Sequence, residues 1–203
     1  RCIRIMPNTP VAAQQGMILY CVGKGISAED EAEFLALLSG AGIVDKIDEK
    51  FIDAAAALSG CGPAFVYIFT EALAEGAVKC GLPRDKALLY AKQTVFGSAA
   101  MMLGSDKHPE RLKDEVCSPG GTTIEGVLAL EKGAFRATAA SAAPRAMPGA
   151  GDLARVDGLG ALVDRALHLA VFSEKDGLES RRADVDAEVA FRFHCLTACC
   201  AGS

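Results

Sequence analysis

The chain has 203 residues, a net charge of −5 and 51% hydrophobic residues, with no Trp. That balance suits one or two soluble globular domains rich in close-packed helices, and it gives no general basis for binding nucleic acid or an anionic membrane surface. No uninterrupted apolar run reaches the roughly 18 residues that span a bilayer, and no secretory signal is read at the start. Cysteines stand at 2, 21, 61, 80, 117, 195, 199 and 200. None has the two-residue spacing of a zinc or redox site, so buried thiols in a reducing, cytoplasmic compartment are expected.

In chain order, residues 2–6 and 17–22 are short apolar runs bounded by turn residues and predict strands. Asn8-Thr9-Pro10 between them predicts a polar turn. Ser27 is a good N-cap for a helix over 28–39, with Glu29, Asp30 and Glu31 in its first turn and Gly40 as its stop. Residues 42–47 predict a closing strand. From Glu49 the character changes. Residues 51–58 read as helix, Ser59-Gly60-Cys61-Gly62-Pro63 interrupts, and 65–80 reads as a helix apolar on nearly all sides. Its only charged stripe is Glu71, Glu75 and Lys79, so it needs partners, and a second copy of the chain is the natural source.

Gly81 is expected just past that helix. Pro83 is expected at a first-turn position of the next one, which runs to about Leu103. His108 and Pro109 start a short helix ending at Val116, with His108 read as a surface or capping residue. Then comes Cys117-Ser118-Pro119-Gly120-Gly121-Thr122-Thr123-Ile124-Glu125. Pro119 restricts the backbone, and the two glycines let a ligand approach it closely. Thr122 with Glu125 reads as a capping box, so a helix is expected from 122 to 131, with Gly133 as its stop. Its free N–H groups and its dipole suit a small carboxylate or phosphate, and the Thr123 hydroxyl could bond another atom of the same ligand.

The run from Leu112 to Glu131 resembles the signature of pyrroline-5-carboxylate reductase. Three further segments agree in order: 5–10 (Ile-Met-Pro-Asn-Thr-Pro), 58–64 (Leu-Ser-Gly-Cys-Gly-Pro-Ala) and 72–83 (Ala-Leu-Ala-Glu-Gly-Ala-Val-Lys-Cys-Gly-Leu-Pro). The resemblance covers residues 1–136. It implies an α+β fragment: the end of a Rossmann-type dinucleotide-binding domain over 1–47, then an all-helical dimerisation and substrate domain over 48–136. After Ala137 the resemblance stops. Residues 137–151 have an Ala/Pro/Gly-rich linker composition, and 137–203 are expected to be a divergent, partly disordered tail. Within it, 159–172 could form a helix and 181–188 alternate in charge. His194, Cys195, Cys199 and Cys200 fit no established zinc spacing, and no metal is assigned. A lineage-specific extension, a shifted reading frame or an unspliced segment would each account for such a tail.

The reaction this resemblance implies is hydride transfer from NADPH or NADH to the C=N bond of pyrroline-5-carboxylate, giving L-proline. It implies that the Ser118 hydroxyl and the N–H groups of Gly120, Gly121 and Thr122 bind the substrate carboxylate. Thr123 orients the ring nitrogen as the catalytic residue, and Glu49 borders the substrate. Met6, Pro7, Asn8, Thr9 and Glu115 lie near the cofactor. A homodimer, with larger rings built from it, is the implied assembly. No strand-to-helix G-x-G-x-x-G phosphate loop occurs in the sequence, and Arg1 opens in mid-strand, so the chain reads as a fragment that binds cofactor weakly alone. Two alternatives stay open: a non-catalytic product that pairs only through its helices, and another member of the imine- and 3-hydroxyacid-reductase group.

Overall fold

The computed structural model describes residues 2–147. They form β1 (Ile3–Met6), a 3-10 turn (Thr9–Ala13), β2 (Gly16–Val22), α1 (Ala28–Leu37), β3 (Gly42–Lys46) and a second 3-10 turn (Glu49–Phe51). The helices α2 (Ile52–Ser59), α3 (Gly62–Lys79), α4 (Arg84–Leu103), α5 (Pro109–Val116), α6 (Thr122–Lys132) and α7 (Phe135–Ala146) follow. Two compact units result, one running up to Pro63 and one over Ala64–Arg145. The expected helix over 159–172, the charge alternation over 181–188 and the His194–Cys200 group lie outside the described residues.

In the first unit the sheet order is β1-β2-β3. β1 pairs antiparallel with β2, Ile3 opposite Val22 and Met6 opposite Leu19. β2 pairs parallel with β3, Gly16 opposite Gly42 and Tyr20 opposite Lys46. A parallel pair needs a crossover, and α1 supplies it. Its start is set locally. Ser27 Oγ accepts from the Asp30 N–H at 3.1 Å, and the Asp30 carboxylate accepts from the Ser27 N–H at 3.1 Å, a complete capping box. The helix then lays Phe34 and Leu38 on a core of Ile3, Val11, Ile18, Tyr20 and Ala41.

One polar group, the Glu31 carboxylate, ties α1 to two strands of the sheet. The Tyr20 hydroxyl on β2 donates to Glu31 Oε1 of α1 at 2.8 Å, and Lys46 Nζ on β3 donates to both Glu31 oxygens at 2.9 and 3.0 Å. The Tyr20 ring also packs against Phe34 at a tilt of 52°, with centroids 5.2 Å apart.

The helical unit is built differently. Its buried cluster is Ala74, Ala87 and Ala91, with Ala77, Val78, Leu82 and Leu88 packed beside it. Its large apolar side chains face outward: Ile68 is 67% exposed, Phe96 60% and Met101 67%. The stretch Glu49–Lys79 is long and apolar enough, by length and composition, to cross a membrane, yet it does not run as one helix, because a turn at Gly60–Cys61 separates α2 from α3.

Three expectations are corrected. Pro83 occupies the N-cap of α4, not its first turn: its backbone is extended, and its carbonyl accepts the first helical bond from the Ala87 N–H at 2.9 Å. Residues 137–146 are helix α7 rather than linker. Alanine has the highest helix propensity, and Pro144, although inside the helix, lies so near its C-terminal end that the turns before it keep their backbone bonds. Of the five described cysteines, all free, only Cys21 is buried. Cys61, Cys80 and Cys117 sit at helix ends rather than on packed faces. His108 caps α5 as expected, with Nδ1 accepting from the Glu110 N–H at 3.3 Å.

Burial, and then the bond to Glu31, raises the Tyr20 phenol from 10.0 to about 12. A group whose folded pKa is raised stabilises the fold fully below its unfolded pKa and loses that stabilisation as pH climbs through the folded one. Stability measured by urea titration is therefore expected to fall between pH 10 and about 12. Tyr20→Phe should remove that alkaline loss while costing about 1 kcal/mol at neutral pH for the lost hydrogen bond.

Candidate functional site

The segment between α5 and α6 is a tight turn with a helix launched from it. The Gly121 N–H donates to the Ser118 carbonyl at 3.0 Å, closing a four-residue turn with Pro119 second and Gly120 third. Gly120 has φ 67°, the left-handed value that the third position of a type II turn requires. Pro119 presets the second position, so the Pro-Gly pair specifies the turn chemically. Gly121 leaves the turn with φ −78° and ψ 165° and acts as the N-cap of α6. A Cβ on Gly121 would lie 2.4 Å from Ser118 Oγ. The bare glycine is what allows the Ser118 hydroxyl to lie beside the helix start.

The capping box expected from Thr122 and Glu125 does not form. The turn delivers Gly121, not Thr122, in the extended conformation an N-cap needs, so Thr122 is already helical, and no side chain caps α6. The first-turn N–H groups of Thr122, Thr123 and Ile124 have no acceptor within the helix. The Gly121 N–H, expected to face a ligand, is taken by the Ser118 carbonyl. Thr122 and Thr123 are both exposed, Gly120 opens onto free space, and Ser118 is exposed beside them. Ser118, Gly120, Gly121, Thr122 and Thr123 thus form one contiguous surface with hydroxyls and backbone donors and no acidic side chain within the turn.

Glu115, in the last turn of α5, is held by two cations. Lys107 Nζ donates to its oxygens at 2.9 and 3.0 Å, and Arg111 Nε lies 3.5 Å away. The Lys107 bond, with Arg111 helping, keeps this carboxyl below its ordinary range. Lys107 as its partner is not legible in the sequence, since the eight-residue separation crosses a loop.

The remaining candidates lie in the sheet unit. Met6 ends β1, Pro7 and Asn8 are buried, and Thr9 opens the 3-10 turn. The polar turn expected at 8–10 is thus the N-cap and first residues of that 3-10 turn, with Asn8 at the N-cap. Glu49 opens the turn before α2 and pairs with Arg4 of β1, which also reaches Asp53 at 3.4 Å. Beside them Cys21 donates its S–H to the Ile47 carbonyl at 3.0 Å, and burial pushes its thiol up. Among the described residues no group of three or more His, Cys, Asp or Glu side chains is arranged to hold a metal ion. The fit to a nicotinamide cofactor is partial: the Met6–Thr9 corner offers a rigid backbone, while no Gly-rich strand-to-helix turn for its phosphates occurs in the sequence.

Comparison with known proteins joins these observations. Residues 49–153 match the family model described as pyrroline-5-carboxylate reductase dimerisation, so the match extends beyond Ala137. Pyrroline-5-carboxylate reductase of Pisum sativum is 53% identical over 139 residues, 68% of this chain and 50% of that protein. The chain therefore spans about half the length of the curated relatives it matches. The crystal structure of Plasmodium falciparum pyrroline carboxylate reductase with NADP bound superposes with a TM-score of 0.67 at 39% identity, over 71% of this chain and 59% of that one. The enzyme of Streptococcus pyogenes superposes with a TM-score of 0.68 at 39% identity, over 71% and 56%. The three-stranded sheet is thus the end of a Rossmann-type domain, and the helices after it form the dimerisation fold. On the family match and these relatives together, the chain belongs to the pyrroline-5-carboxylate reductase family.

Proposed function

We propose that this chain is the substrate-binding and pairing part of an enzyme that reduces pyrroline-5-carboxylate to L-proline with NADPH or NADH. The observation that carries the reading is the Ser118–Gly121 turn opening directly onto the uncapped start of α6, with two exposed threonines in its first turn. In this reading the substrate carboxylate lies on the N–H groups of Thr122 and Thr123, with the Ser118 hydroxyl beside it and the bare Gly120 and Gly121 allowing close approach. The helix dipole favours that negative charge.

Anchored by its carboxylate, the ring turns its nitrogen towards Thr123. The Thr123 Oγ1 accepts from the protonated imine N–H and fixes the orientation of the C=N bond. An unperturbed hydroxyl is a poor base, so its work is positioning and holding the proton on nitrogen. When bound, the nicotinamide supplies the hydride that adds to the imine carbon. The backbone of Met6, Pro7, Asn8 and Thr9 would line that cofactor's reactive end, Glu115 would border it, and Glu49 would border the substrate. Holding two reactants in register supplies much of the rate.

The pairing part of the reading rests on the exposed apolar faces of α3 and α4. A second copy of the chain laid over Ile68, Leu89, Phe96 and Met101 would cover them, consistent with the dimerisation family matched.

Activity is expected in the chain assayed together with any coding sequence that flanks it, with pyrroline-5-carboxylate and NADPH or NADH. Thr123→Ala should lower kcat by about 10²-fold, and Thr123→Ser should restore most of it, because the hydroxyl and not the methyl is used. Equal activity of Thr123→Ala and the parent would remove Thr123 from the mechanism. Gly121→Ala, by displacing the Ser118 hydroxyl, should raise the KM for the imino acid about tenfold with less effect on the cofactor KM. Ile68→Asp should shift the species seen by analytical ultracentrifugation from dimer towards monomer, and a dimer of undiminished stability would place the pairing surface elsewhere.

A further inference from the structure

Among the described residues Asn8 is the polar side chain that is buried, at 8% exposure. Its amide is used at both ends. Oδ1 accepts from the Met17 N–H at 2.9 Å, and Nδ2 donates to the Ser59 carbonyl at 2.9 Å. Both partners are backbone groups that a regular ladder or helix leaves open on one side. Met17 pairs with Ile43 of β3, but the β1–β2 ladder stops at Met6 opposite Leu19, so on the β1 side Met17 lies beyond the last pair. Ser59 is the last residue of α2, where carbonyls have no helical donor. A single side chain therefore fastens the corner after β1 to the start of β2 and to the end of α2. Packing reinforces the junction: a Cβ on Gly60 would lie 3.2 Å from the Met6 methyl.

We propose that Asn8 is a positioning residue, whose amide is occupied in holding the Met6–Thr9 backbone, against which the nicotinamide end of the cofactor would lie, and is not itself a cofactor ligand. This rests on the reductase reading above. The chemistry gives the test a distinctive signature. Asn8→Asp is nearly isosteric. When ionised, Asp presents only acceptors, so it faces the Ser59 carbonyl with no proton to donate. When protonated, it carries one O–H for Ser59 and an acceptor for Met17, as Asn does. Burial raises the pKa of such a carboxyl, which brings its protonation within a practical assay range.

The experiment is steady-state kinetics on the chain with any flanking coding sequence, for the parent, Asn8→Asp and Asn8→Ala, with NADPH and pyrroline-5-carboxylate varied separately across pH. At about pH 8, Asn8→Asp is expected to lower kcat/KM for NADPH roughly tenfold or more, with the imino acid KM unchanged, because the misplaced group is the cofactor's seat. The variant-to-parent ratio should climb as pH falls. For Asn8→Ala it should stay low and flat. If both variants lose cofactor affinity equally at every pH, with melting temperatures unchanged, the side chain touches the cofactor directly and the proposal falls. If melting temperatures drop while cofactor kinetics hold, the role is purely structural and the proposal also falls. Should Asn8→Asp not fold at high pH, Asn8→Ser, too short to span both partners, is expected to show the same loss in kcat/KM for NADPH, and unchanged NADPH kinetics in that variant would overturn the proposal. If the parent reduces no imine, the reductase reading itself fails, an outcome separable from normal parent activity with unaltered Asn8 variants.

Discussion

A helical unit whose buried cluster is three alanines cannot close a core of its own. Ala74, Ala87 and Ala91 bring α3 and α4 together, but small side chains remove little apolar area from water. At about 25 cal/mol per Å², most of the available stabilisation lies on the outward-facing Ile68, Leu89, Phe96 and Met101. Helix α3 follows from this constraint: it can be long and apolar on nearly all sides, with its charges confined to Glu71, Glu75 and Lys79, and its closing contacts must come from another surface. The sheet unit, by contrast, buries Ile18, Val11, Phe34 and Leu38 and completes a small core of its own.

Local rules suffice where a single element decides the outcome. Ser27 caps α1 with Asp30, the three strands fall where short apolar runs meet turn residues, and His108 caps α5. They fail where a neighbouring turn decides it. Thr122 and Glu125 have the spacing of a capping box, yet the Pro119–Gly120 turn already places Gly121 at the helix start. The segment after Ala137 departs from expectation for a related reason. The Ala-rich composition together with Pro144 suggests a linker, but alanine's helix propensity prevails, and Pro144 lies so near the C-terminal end that the turns before it keep their bonds.

The candidate site is legible as a contiguous motif, because its residues are neighbours in the chain and their chemistry survives without tertiary context. What is not legible is how side chains remote in sequence engage one another. Asn8 has the look of a surface turn residue, but its amide is spent on Met17 and Ser59. Lys107 and Arg4 find Glu115 and Glu49 only once the loops between them are folded. Pairings over such separations depend on chain path, which residue spacing does not encode.

The Ser118–Gly121 turn has a kinetic corollary. Its shape is held by Pro119, by the left-handed Gly120 and by the bond from the Gly121 N–H to the Ser118 carbonyl. None of these needs a guest. The ordering entropy of the loop is met once, when the chain folds, and not again at each encounter with a small acid. A ligand seated there would bind without waiting for this turn to settle. Whatever slows its arrival would not be the ordering of the backbone between Ser118 and Gly121.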